Sequence, residues 1–132
     1  MRRVAIMTIV LASLCTSALE IKLGQKPPMS DNMVVTGSTI IYPVKDKGLY
    51  AKAVLLDDAG MVKSITAYST LTTEDVARNL YTIMAKRYRE GCELSKVEDG
   101  CWLIYKGKYL LIISLEHFKA GWTVAVAISS RE

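Results

Sequence analysis

The chain has 132 residues, of which 51% are apolar and 23% charged, with three prolines. That balance excludes a collagenous, low-complexity or disordered chain and makes one compact domain the expectation. A chain of this length buries about two thirds of the surface its unfolded form exposes, enough for a core without a structural metal.

The N-terminus reads as an address. Arg2 and Arg3 supply a basic start, residues 4–14 form an apolar run broken only by Thr8 and Ser13, and Thr16-Ser17-Ala18 offers small residues for cleavage. This pattern predicts a secretory signal peptide over residues 1–18. The run is too short to span a bilayer, so no integral membrane span is expected in the mature chain. Two of the seventeen basic side chains leave with the signal, lowering the formal charge from +4 to +2. A mixed-sign surface with so small an excess is a poor footprint for nucleic acid, which is excluded as a partner. Export sets a periplasmic or secreted location, and the short signal suits a bacterial exporter.

Residues 19–33 carry Gly24, Pro27, Pro28 and the cluster Ser30-Asp31-Asn32, which predicts an irregular arm before a single domain over residues 34–132. Residues 34–42 are rich in β-branched side chains and end at Pro43, predicting a first strand. Residues 49–56 and 61–68 flank Asp57-Asp58-Ala59-Gly60 and read as a hairpin.

A helix is expected over residues 73–90. Thr72 is placed as its N-cap, Glu74 and Asp75 favour the positive end of the dipole, and Gly91 suits the C-terminal stop. At about 100° per residue, Val76, Ala77, Leu80, Tyr81, Ile83, Met84 and Tyr88 share one arc of roughly 160°. Arg87 falls inside that arc, between Val76 and Leu80. It is expected to lay its stem along the core, or to anchor an acidic partner.

The remainder reads as a three-strand meander over residues 101–105, 109–116 and 122–129. A two-residue loop at Lys106-Gly107 and a four-residue one at residues 118–121 set the register. Trp102 then faces Leu111, Ile104 faces Tyr109, Ile113 faces Val126, and Leu115 faces Val124, forming the floor for the helix. The expected fold class is α+β: an antiparallel sheet, from an N-terminal hairpin region and the C-terminal meander, with one amphipathic helix on one face.

The opposite face carries Leu103, Tyr105, Leu110, Ile112, Ala125 and Ala127, too apolar to stand in water alone. Either the arm or the first hairpin folds over it, or it meets a protein partner or a second copy in a homodimer. In the second case Tyr105 is an aromatic anchor and Lys108 lies at the polar rim.

Cys92 and Cys101 remain after signal removal, and an even pair in an exported chain predicts a disulfide. Metal and cofactor sites are not expected, because one histidine and no glycine-rich phosphate or calcium loop are present. His117, with Ser114 nearby, is the only candidate for acid-base work, and it reads better as a residue at a hairpin rim. The pairs Asp57-Asp58, Glu74-Asp75 and Glu98-Asp99 are explained by turns and a helix cap. The function expected is therefore that of a non-enzymatic interaction protein, such as an inhibitor, an immunity-type protein or an envelope accessory factor. Alternatives are a small hydrolase using His117 and dispersed acids, or a binder of a small envelope ligand.

Overall fold

A computed structural model describes residues 21–44 and 48–131. The expected signal over residues 1–18 lies outside the described residues. The described residues form one antiparallel sheet of eight strands with one helix, so the fold is dominated by the sheet. In chain order the elements are β1 (Val34–Thr36), β2 (Thr39–Pro43), β3 (Leu49–Leu56), β4 (Val62–Ser69), α1 (Glu74–Arg89), β5 (Leu94–Glu98), β6 (Cys101–Lys106), β7 (Tyr109–Phe118) and β8 (Gly121–Ser130). Their spatial order is β1-β2-β3-β4-β8-β7-β6-β5. Two four-stranded meanders thus meet edge to edge where β4 pairs with β8. The helix carries the chain from the middle of the sheet to its far edge.

Turn chemistry explains the strands that the sequence pattern misses. Residues 34–42 form a hairpin rather than one strand, because Gly37 takes φ +62° between Thr36 and its partner Thr39. At the other edge, Asp99 and Gly100 both take positive φ, 53° and 77°. Such a two-residue Asp-Gly loop matches the right-handed strand twist and folds β5 onto β6. The C-terminal meander therefore has four strands. Between β3 and β4, the Asp57 carboxylate accepts from the backbone N–H groups of Ala59 and Met61 at 2.9 Å each, and Gly60 takes φ +80°.

The register puts one set of side chains inside. Ile40, Val54, Ile65, Ile128, Leu111 and Ile104 lie side by side across β2, β3, β4, β8, β7 and β6, and all are buried. Ile113 faces Val126 and Leu115 faces Val124, as the loop count predicts. Trp102 faces Ile113 and Ile104 faces Leu111, two residues along from the expected partners, because the β6–β7 loop is Gly107-Lys108. An even slip leaves every side chain on its expected face. The same face also takes Lys52, fully buried in the row between Tyr42 and Ala67.

The helix lies across β6, β7 and β8 on this inner face. Thr73, not Thr72, is the N-cap, its hydroxyl accepting from the Val76 N–H at 3.4 Å. Thr72 is occupied one step earlier, exchanging two backbone hydrogen bonds of 2.8 Å with Trp122. The buried stripe runs through Ala77 and Ala85, with Leu80, Tyr81, Met84 and Tyr88 beside it. Val76 and Ile83 stay more than half exposed. The two alanines let the helix axis come close to the sheet, which turns the arc away from Val76, Ile83 and Arg87. Arg87 is exposed and lies outside the apolar stripe, correcting its expected place in the arc.

The arm covers the other half of the same inner face. Gly24 donates to the Val62 carbonyl and Val62 to that of Gln25, both at 2.8 Å. The Tyr42 hydroxyl donates to the Pro28 carbonyl at 2.7 Å. Ile21, Leu23 and Met33 thereby join the core over Ile40, Val54 and Ile65. Arm and helix together close one side of the sheet.

The expected Cys92–Cys101 disulfide is not formed, and both thiols are free. Cys101 stands opposite Glu98 beside the Asp99-Gly100 turn, whereas Cys92 precedes Leu94, which pairs with Tyr105 at the other end of the hairpin. Four strand residues alone separate those levels by about 13 Å, against the roughly 7 Å limit between bridged Cα atoms. Carbamidomethylation in denaturant without reductant is expected to label both residues. A Cys92–Cys101 linked peptide in the mass spectrum would show the opposite.

Candidate functional site: the open face of the sheet

Among the described residues, neither helix nor arm covers the second face of the sheet. Its side chains fall into rows across the strands. One row holds Ile41, Ala53, Thr66, Ala127, Ile112 and Leu103, from β2 to β6. The next holds Thr39, Leu55, Ser64, Ser129, Leu110 and Tyr105. A third contains Ala51, Tyr68, Ala125 and Ser114. Leu103, Tyr105, Leu110, Ile112, Ala125 and Ala127 are thus brought together, as the alternation along β6, β7 and β8 implies. The first hairpin does not fold over them; it extends the sheet, and Ile41 and Leu55, each 40% exposed, lengthen the apolar surface. Those two residues were missing from the sequence expectation because the pairing of β4 with β8 joins segments about 60 residues apart.

No charged side chain stands in these three rows between β3 and β7, nor among Leu103 and Tyr105 of β6. Charge collects at the margins. Arg131 sits 5.2 Å above the Tyr105 ring and donates to Glu93 at 2.7 Å and to the Gly107 carbonyl at 3.1 Å. Lys108 projects from the β6–β7 turn, 5.5 Å from the Tyr109 ring. Lys96 lies on edge strand β5, 3.4 Å from Glu98. At the opposite end, Glu116 accepts from the Ser114 hydroxyl at 2.8 Å, near the Tyr68–Phe118 aromatic pair. Burial first, then the negative charge of Glu116, pushes the Tyr68 hydroxyl pKa up. An apolar centre with a polar rim is the composition of a protein-binding surface. Arg87 takes no part in it, since α1 lies on the other side of the sheet.

The catalytic alternatives fare differently. His117 pairs with Trp122 and stacks on it, with ring centroids 4.2 Å apart and planes 8° from parallel. Arg78 adds a cation 5.8 Å from the same indole. His117 and Ser114 are three residues apart on one strand, so their side chains point to opposite faces and form no nucleophile–base pair. Asp57-Asp58 lies at the β3–β4 turn and Glu98-Asp99 at the opposite end of the sheet. Glu74 is engaged with Arg78, Nη2 to Oε2 at 2.6 Å. Among the described residues no group of three or more His, Cys, Asp or Glu could hold a metal. The Cys101 thiol is raised in pKa by burial, and further by Glu116 and Asp99. It is therefore held as the thiol, not the nucleophilic thiolate, at neutral pH.

No described helix is long and apolar enough to cross a membrane. Comparison with protein-family models, with curated proteins and with solved structures returned no match.

Proposed function

We propose that the protein is an exported, non-enzymatic interaction module of the bacterial envelope or its surroundings, presenting the open sheet face to another polypeptide. One observation carries this reading: among the described residues helix and arm both cover the same side, leaving two rows of apolar and small side chains open on the other, while Ala51 and Ala125 of the third row are buried. An exposed apolar area this continuous is a binding surface or an aggregation liability. Its charged margin and uncharged centre favour binding. The basic start, apolar run and small residues of the first 18 positions support export.

The test places a photo-reactive side chain at Ile112, on the open face, and separately at Ile83, on the exposed side of α1. In the native compartment the first is expected to yield a cross-linked polypeptide and the second none. His117→Gln should leave that yield unchanged. Cross-linking from Ile83 alone, or from neither position, would overturn the assignment of the surface.

A further inference from the structure

The open face is built in two adjoining strips of unlike relief. On β4 and β8 the side chains of the two main rows are small: Ser64, Thr66, Ala127 and Ser129. On β7 and β6 the same rows carry large ones: Leu110, Ile112, Leu103 and Tyr105. Each strip is two strands wide, they lie side by side, and their rows are in register through the β7–β8 pairing. A valley and a ridge of equal width on one surface are self-complementary.

We infer that the polypeptide occupying this face is a second copy of the same chain, an inference that rests on the reading of the face given above. A two-fold axis parallel to the strands, between β8 and β7, brings β8 over the partner's β7 and β4 over the partner's β6. Ala127 then meets the partner's Ile112, and Ser129 the partner's Leu110. Thr66 meets the partner's Leu103, and Ser64 the partner's Tyr105. The symmetry repeats each contact, as an isologous interface requires. Two sheets in this arrangement form a sandwich about 10 Å thick with strands within about 30° of each other.

The area is sufficient. From β3 to β5 the overlap spans six strands, about 29 Å at roughly 4.8 Å per strand, and three rows plus side-chain margins give about 20 Å along them. That is roughly 600 Å² a side, or about 1,200 Å² in all, at the lower end of stable specific interfaces. Between β3 and β7 no charge needs desolvation. Lys96 on β5 continues the Leu103 row at the lateral edge of the overlap, where it keeps its ion pair with Glu98 at 3.4 Å. Lys108, Glu116 and Arg131, which reaches over the Tyr105 ring, fall at the ends of the strands. Strands β1 and β2 lie outside the overlap, so Ile41 belongs to the open face but not to the contact.

Sedimentation equilibrium of the full chain tests this. The unmodified protein is expected at twice the chain mass at micromolar concentration. Ala127→Asp and Ile112→Lys are each expected to weaken the dimer at least about a hundredfold, because each buries a charge without a partner. Mixed in equal amounts they should dimerise again, since one of the two contacts then pairs Asp with Lys and the other keeps Ala against Ile. Ile41→Asp should leave the mass unchanged. A monomer up to about 100 μM, an Ala127→Asp dimer of unaltered affinity, or a mixture that stays monomeric would overturn the inference. The mass of the unmodified chain decides even where a variant fails to fold. A monomer that cross-links from Ile112 to a different polypeptide removes the dimer and keeps the interaction module. A monomer that cross-links to nothing removes both.

Discussion

Leu111→Ala is expected to lower the unfolding free energy by about 2–5 kcal/mol, the range for truncating a fully buried leucine whose surroundings cannot collapse into the space. Leu111 is 0% exposed and lies in the central row, between Ile128 and Ile104 and beneath the helix. Its neighbours come from three strands fixed by ladder hydrogen bonds, so the cavity persists and dispersion contacts are lost on every side. Ile41→Ala, on the open face and 40% exposed, removes much less contact and should cost under about 1 kcal/mol. Urea unfolding at low protein concentration checks both, with equal m-values as the sign that stability alone has changed. Equal losses at the two positions would mean that the inner and outer faces are assigned wrongly.

Gly121→Ala carries the second large effect, about 1–3 kcal/mol, through the backbone rather than the core. Gly121 begins β8 at φ +151°, in a region that side chains rarely enter. An added Cβ would lie 3.1 Å from the Thr72 carbonyl oxygen and 3.4 Å from Leu71 Cβ. That carbonyl is fixed, since Thr72 and Trp122 exchange two backbone hydrogen bonds there. The substitution therefore strains the bridge that sets the start of α1. Gly37→Ala, at φ +62° with open space around it, isolates the conformational cost alone and should be the milder of the two. Thermal unfolding of the pair separates strain from crowding. A Gly121→Ala protein no less stable than Gly37→Ala would exclude the close approach.

The two results together define how the molecule is held. A single side of the sheet carries the core, and a backbone bridge at β8 sets where the helix crosses it. The open side contributes little to that core, so small residues on β4 and β8 are tolerated there without loss of core packing.

Much of this was determined by the sequence alone. Alternation along residues 101–129 assigned the inner and outer faces of three strands correctly, because a period of two survives an even slip in register. The helix followed from its acidic first turn and its glycine stop, both local signals. Leu103, Tyr105, Leu110, Ile112, Ala125 and Ala127 were legible as one surface for the same reason. Local turn chemistry also contained the hairpins at Gly37 and Asp99-Gly100, but a nine-residue β-branched run and a pair of cysteines suggested a single strand and a covalent ring instead. The strand pairing there extends the chain between the two thiols and holds them apart.

Only the tertiary structure decided the rest. The pairing of β4 with β8 and the arm's choice of the inner face depend on contacts between segments far apart in the chain, where no local periodicity sets the partner. The helix rotation that exposes Val76, Ile83 and Arg87 was decided by close packing at Ala77 and Ala85, which a hydrophobicity wheel weights least. Whether the second face stays bare is likewise a property of where the other elements go. Local physics fixes which side chains share a face, and only long-range packing determines what covers it.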